Sequence, residues 1–198
     1  GQAWRRRQQR LRLDETGRYT HEAEHAARLA GSAEYWDFPF DRRRFLDVLR
    51  DFASQCTGAP LRVHAELDQD GGIHVAAEPL PGQPAAAARI LIAANRTDSQ
   101  DPLLFHKTTE RARYARGLAL AQSLGFDETF FLNEHGHLTE GAYTNLFVRL
   151  DGAWVTPPIT DGLLPGIWRG QFMQESGAVE RSLTLAELAH AEAIIIGN

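Results

Sequence analysis

Leu146-Phe147-Val148-Arg149-Leu150-Asp151-Gly152-Ala153-Trp154-Val155-Thr156 is two apolar runs, rich in strand-forming residues, joined by an Asp-Gly pair. Asp-Gly tolerates the positive φ angles of a tight two-residue turn, so the stretch reads as a β-hairpin. A second hairpin lies in the first half. There Leu61, Val63, Ala65 and Leu67 alternate with Arg62, His64, Glu66 and Asp68, Asp70-Gly71-Gly72 turns, and Ile73-His74-Val75-Ala76 returns. Hairpins in both halves argue against a doubly wound sheet, whose parallel strands need crossover helices between them.

The segments around these hairpins complete an α+β pattern. Thr20 is the expected cap of a helix running through Glu24, Arg28 and Leu29 toward Tyr35. Asp41 caps a second, with Phe45, Leu49 and Phe52 on one stripe. Leu103-Leu104-Phe105 reads as strand-like, followed by a helix over residues 108–124 that carries Tyr114, Leu118 and Ala121 on one face and stops at Gly125. Short strands are expected at Arg89-Ile90-Leu91-Ile92-Ala93 and Phe130-Phe131-Leu132-Asn133, a helix over 167–175, and a final helix begun by the capping box Thr184-Leu185-Ala186-Glu187. The proline- and alanine-rich residues 79–88 read as a loop. The polar, turn-rich residues 95–102 place a boundary between two lobes, 1–97 and 98–198.

With 43% apolar and 24% charged residues the composition is that of an ordinary globular protein, and no apolar run approaches the ~18 residues of a membrane span. Cys56 is the only cysteine, so an internal disulfide or multi-cysteine metal site is excluded, and a cytoplasmic setting is the simplest expectation. A net charge of −5 argues against a dedicated nucleic-acid binder. Arg5, Arg6, Arg7, Arg10 and Arg12 form a local exception, read here as a solvated, partly disordered end rather than a polyanion-binding arm. The chain opens on Gly1 and closes on the strand-like Ile194-Ile195-Ile196-Gly197-Asn198, so both ends are expected to be cut.

Three groups carry chemistry. Lys107, in Phe105-His106-Lys107-Thr108-Thr109-Glu110-Arg111, is the only lysine in a chain that otherwise uses arginine. Any single lysine is most simply a surface group, but a neutral amine near His106, Arg111 and Arg113 can form a Schiff base with a carbonyl. Glu140 follows Gly136-His137-Leu138-Thr139 at the end of a short strand. Gly166-Ile167-Trp168 opens a helix after Pro165, where backbone N–H groups and the helix dipole suit a phosphate. Arg28 can add a bidentate contact. An amine, a carboxylate for a pyridine nitrogen and an anion-binding helix start are the parts needed to hold pyridoxal phosphate. The pairs His21/His25 and His135/His137 lack the further ligands of a metal site, and none is expected.

Together these segments resemble the fold-type IV pyridoxal-phosphate enzymes, the class IV aminotransferases, over residues 11–198. The likeness rests on His25-Ala26-Ala27-Arg28-Leu29, Lys107-Thr108-Thr109-Glu110-Arg111, Asn133 through Glu140, Thr144-Asn145-Leu146-Phe147, Thr156-Pro157-Pro158, and Leu163-Leu164-Pro165-Gly166-Ile167-Trp168-Arg169 in that order. It implies a small α/β lobe and a larger lobe with a barrel-like sheet. It implies Lys107 as the Schiff-base lysine, Glu140 as the partner of the pyridine nitrogen, Arg28 as a phosphate ligand, and Gly166, Ile167 and Trp168 as the phosphate cradle. It also implies a homodimer acting on a small-molecule substrate.

Within the family the Lys-Thr-Thr-x-Arg pattern and the Thr-Pro-Pro and Gly-Leu-Leu-Pro-Gly runs are most similar to the aminodeoxychorismate lyases, some of which are fused behind an aminodeoxychorismate synthase component. The expected reaction is release of 4-aminobenzoate and pyruvate, for folate synthesis. Branched-chain aminotransferases usually place a tyrosine five residues after the lysine, where this chain has Ala112. An aminotransferase for branched-chain or D-amino acids is the second expectation, and a non-catalytic binding module the third. Two departures stand out. Gln9-Arg10 occupies the place of a Glu-Thr pair, and the family continues past Asn198 with a Ser- or Thr-containing phosphate loop.

Overall fold

The computed structural model describes residues 6–58, 60–82 and 87–198, and its contacts divide them into two units. The described residues of the first are 6–82 and 106–110; those of the second are 87–105 and 111–198. Residues 95–102 therefore lie inside the second unit, and the short segment around Lys107 belongs to the first. No helix among the described residues is long and apolar enough to cross a membrane.

In the first unit, β1 (Arg7–Leu13), β2 (Leu61–Leu67) and β3 (Ile73–Pro79) form an antiparallel sheet in that order, with α1 (Glu22–Tyr35) and α2 (Arg42–Gln55) between β1 and β2 in sequence. The alternation of β2 puts Val63, Ala65 and Leu67 on one face. They meet Leu29 of α1, Phe45 and Leu49 of α2, and Leu11 and Leu13 of β1 in one core. Asp41 caps α2 as expected, its carboxylate accepting from Arg44 N at 3.1 Å. Thr20 does not cap α1. Its N–H is committed to Arg12 O at 2.9 Å, and the helix starts instead behind His21, which adopts a left-handed φ of 59° without a side-chain cap.

The largest correction concerns the arginine-rich start. Trp4 and Arg5 lie outside the described residues, but Arg7–Leu13 is a strand, not a solvated end. Arg7, Gln9, Leu11 and Leu13 are all buried. The Arg7 guanidinium lies 4.7 Å from the ring centres of both Trp36 and Phe38, so cation–π contact replaces part of its hydration.

The second unit holds two sheets. One has the order β4 (Ile90–Thr97), β5 (Glu128–Asn133), β6 (Leu138–Gly141), with β4 and β5 parallel across the crossover helix α3 (Ala112–Ser123). The other runs β10 (Ala193–Gly197), β7 (Asn145–Leu150), β8 (Ala153–Thr156), β9 (Val179–Glu180), and contains the Asp151-Gly152 hairpin. Helices α4 (Ile167–Ser176) and α5 (Leu185–Ala189) complete it, α5 with the expected Thr184–Glu187 capping box. Helices and mixed sheets in two units make the fold α+β. Of the proline-rich loop expected over 79–88, residues 83–86 lie outside the described set, and Pro79 closes β3.

Two local expectations change. The segment Pro102–Leu104 is a 3-10 turn, capped by Asp101 accepting from Leu103 N at 3.0 Å. Helix α3 starts at Ala112 rather than 108, because the backbone of 107–109 is hydrogen-bonded to β1: Gln8 N donates to Lys107 O at 2.9 Å and Thr109 N to Arg6 O at 3.0 Å.

Leu49 is fully buried in the first core. Leu49→Ala is expected to lower the unfolding free energy by about 2–5 kcal/mol, read from the midpoint of urea unfolding.

Candidate active site

Each predicted residue is placed by a definite element. In the first unit Lys107 sits on the extended segment that pairs with β1, its carbonyl held by Gln8 N and the carbonyl of Thr108 by Gln8 Nε2 at 2.5 Å. The preceding His106 places Nδ1 3.0 Å from Ser32 Oγ and its ring 4.6 Å from that of Tyr35. Burial first, and the charge of Arg7 second, push His106 below the ordinary imidazole range.

Arg28 lies on α1 facing β1. Its Nε and Nη2 donate to Gln9 Oε1 at 3.1 and 2.6 Å, and His25 Nδ1 lies 3.0 Å from the same oxygen. Because that oxygen is an acceptor, the geometry puts the His25 proton on Nδ1. Burial pulls His25 down to about 3, helped by the charges of Arg28 and Lys107. His25 is therefore neutral near pH 7 and reports that both cations act on one region of this unit.

In the second unit Glu140 is the last residue but one of β6 and is almost fully buried. Its Oε1 accepts from Tyr114 Oη at 2.6 Å, and its Oε2 accepts from Leu164 N at 3.2 Å and Asn145 Nδ2 at 3.5 Å. Burial and the neighbouring carboxylate keep the Tyr114 hydroxyl protonated well above its ordinary range, so it acts as a donor. Asn145 Nδ2 also donates to Leu164 O at 3.1 Å. Its Oδ1 stands 1.9 Å from where a Cβ on Gly166 would be, so only glycine fits there.

Asn145 thus brings Glu140 and the α4 start together. No side chain caps α4, which leaves its first-turn N–H groups to an outside acceptor. Trp168 is held by its ring, at 5.5 Å from Phe147 and 5.4 Å from Phe172, and it covers Gly197, where any Cβ would strike the indole at 2.7 Å. Its ring is thus engaged in packing, and its backbone lies in the uncapped first turn of α4.

Several residues here were not picked out as site residues from the sequence. The sequence places Tyr114 on a helix stripe and Asn145 in a motif, without the tie that each makes to Glu140. Glu128 was not singled out, although it is fully buried and accepts from Ala142 N at 3.0 Å and Thr144 Oγ1 at 2.9 Å, which fixes the turn between β6 and β7. Gln9 was read as surface. The histidines of the two pairs serve separate ends: His21 starts α1, His25 serves Gln9, and His135 and His137 flank a turn with rings 6.2 Å apart.

An α+β chain with an anchored carboxylate beside an uncapped helix start, and a lysine on a pinned segment, has the composition of a cofactor-dependent enzyme. The sequence profile of the Amino-transferase class IV family matches residues 12–198, and the chain belongs to that family, whose members are pyridoxal-phosphate enzymes. The chain is similar to an amino-acid aminotransferase, provisionally so named, from Mesorhizobium loti. That crystal structure superposes with a TM-score of 0.90 at 32% identity, covering 98% of this chain and 94% of that one. A Schizosaccharomyces pombe protein provisionally named as an aminodeoxychorismate lyase is 23% identical over 180 residues, 88% of this chain and 78% of its own length. A Methanocaldococcus jannaschii protein provisionally named as a branched-chain-amino-acid aminotransferase is 36% identical over 81 residues, 38% of this chain; the match spans 28% of that protein. Both activities are thus named among the similar proteins.

His25 supplies a pH test. Its folded value near 3 lies below the ordinary 6.5, so its contribution to stability is complete above about 6.5 and is lost as pH falls toward 3. The thermal midpoint is expected to drop between pH 7 and 4, the slope reaching at most about 1.4 kcal/mol per pH unit from this group. His25→Asn should flatten that slope, measured by calorimetry across the range.

Proposed function

We propose that the chain is a 4-amino-4-deoxychorismate lyase that releases 4-aminobenzoate and pyruvate. What supports the lyase reading is the position five residues after Lys107. Branched-chain aminotransferases usually carry tyrosine there; this chain has Ala112, the first residue of α3, and the nearby Tyr114 hydroxyl is committed to Glu140.

The side chains fit the cofactor chemically. Arg28 is a cation bonded to a neutral amide, and Gln9 Nε2 beside it is a buried donor without a partner. These are donors that suit a phosphate ester. In this reading Lys107 would take the cofactor's carbonyl, Arg28 and the backbone N–H groups of Gly166, Ile167 and Trp168 would serve its phosphate, and Glu140 would pair with its ring nitrogen. Tyr114, Asn145 and Leu164 N hold the Glu140 oxygens still, so the carboxylate keeps a proton on that nitrogen without reorganising. When bound, pyridoxal phosphate supplies an electron sink for the substrate carbon that bears the amine.

With its amine free, Lys107 would act as general base and take the proton from that carbon. The ether C–O bond to the enolpyruvyl group breaks, its electron pair leaving with the oxygen. Lys107 would then return that proton to the terminal carbon of the leaving enolate, which becomes pyruvate, and the ring is aromatic. No amino acceptor is consumed. The same reading carries a homodimer, a cytoplasmic setting, and an aminodeoxychorismate synthase component, fused or associated, as the source of substrate. The alternative is an aminotransferase for branched-chain or D-amino acids, favoured by the 32% identity to the Mesorhizobium loti protein. There Lys107 shuttles a proton and a keto acid is required.

The purified chain with pyridoxal phosphate and 4-amino-4-deoxychorismate, and no keto acid, is expected to release pyruvate and 4-aminobenzoate in equal amounts. Lys107→Ala should abolish both. Turnover of amino acids only when a keto acid is present would replace the lyase with the aminotransferase.

A further inference from the structure

The polar cluster between β1 and α1 has an unusual charge balance. Gln9 is 1% exposed and its single Oε1 takes three donors, Arg28 Nε, Arg28 Nη2 and His25 Nδ1. Among the described residues no carboxylate comes within ion-pair distance of Arg28. Arg28 is half-buried, and burial alone lowers it to about 10, with no opposing charge to offset the loss of hydration. The other groups acting on this cluster, Lys107 and His21, bring positive charge or none, and His25 is neutral. A shielded cation bound to a neutral acceptor is costly unless an anion completes it.

The other half of the Gln9 amide, Nε2, is buried with no hydrogen-bond partner. A glutamate of the same size at this position would accept the same three donors. It would also cancel the charge on Arg28 and present no donor of its own. Glutamine fixes the guanidinium fork, leaves its charge unspent, and adds an N–H.

We propose that Gln9 sets the strength of the Arg28 anion site: its neutral oxygen orients the guanidinium, while its amide nitrogen and the uncompensated charge favour a doubly charged phosphate. This rests on the reading of Arg28 as a contact of the cofactor phosphate. Gln9 is a positioning residue and an added donor, and it has no part in bond making or breaking.

The test is thermal unfolding of the full chain, ligand-free and titrated with inorganic phosphate or pyridoxal phosphate, for the wild type, Gln9→Glu, Gln9→Met and Arg28→Ala. Gln9→Glu pairs the half-buried charge, so its ligand-free midpoint is expected to rise. Its affinity for inorganic phosphate and pyridoxal phosphate should weaken by about tenfold, the scale of one lost charge-assisted contact. Gln9→Met keeps neutrality but removes both the clamp and the donor. Its ligand-free midpoint should fall and its phosphate affinity weaken. Pyridoxal, which lacks the phosphate, should bind the wild type and Gln9→Glu equally.

A residue that only packs would lower the ligand-free midpoint in both Gln9 variants, and that result overturns the proposal. So does wild-type phosphate affinity in Gln9→Glu when Arg28→Ala has lost it. Unchanged phosphate binding in Arg28→Ala would instead overturn the underlying assignment of Arg28, and the Gln9 proposal with it.

Discussion

The Glu140 carboxylate is the tie that joins the elements at the centre of the second unit. Four pieces of chain meet at its two oxygens: β6 through the residue itself, α3 through the Tyr114 hydroxyl, β7 through Asn145, and the approach to α4 through Leu164 N. Buried carboxylates are costly unless their oxygens are satisfied, and donors to a charged acceptor are among the stronger hydrogen bonds. The tie is therefore both a condition of burial and a device for position. Asn145 extends it, since its Nδ2 serves Glu140 and Leu164 O while its Oδ1 fills the space a side chain on Gly166 would need. Glu128 repeats the logic one layer away, holding the turn that separates Glu140 from Asn145.

The first unit meets a different constraint. Its strand β1 buries arginine and glutamine, and each is stabilised by a partner from elsewhere: Arg7 by the faces of Trp36 and Phe38, Gln9 by Arg28 and His25. The other direction of β1 is used as well. Gln8 ties down the carbonyls of Lys107 and Thr108, so the only lysine of the chain is carried on a segment with a fixed backbone. In the proposed reaction such a segment would pre-position the amine, so that less of its motion has to be lost.

What could be read from the sequence was local in origin. The Asp151-Gly152 hairpin, the Asp41 cap, the Thr184–Glu187 capping box and the strand that carries Glu140 each follow from residues a few positions apart. What could not be read was decided at a distance. The alternation of β1 is hidden because Arg7 and Gln9 look like surface residues until Trp36, Phe38 and α1 are packed against them. The start of α3 slips from 108 to 112 because residues 107–109 have a strand partner a hundred positions away. Tyr114 gave the signal of a core tyrosine, and only the fold shows that its hydroxyl has a carboxylate to serve. The motif that carries Lys107, Glu140 and Gly166 was legible because their order along the chain, not their geometry, made the family resemblance.

The central claim is that Lys107 is the amine that holds pyridoxal phosphate. Its most direct test is to load the purified chain with pyridoxal phosphate, reduce with borohydride, and locate the modified peptide by mass spectrometry. The account predicts one stable adduct, on Lys107, that is missing from folded Lys107→Ala. A folded, cofactor-exposed chain without that adduct, or with the label only at its amino terminus, would contradict it.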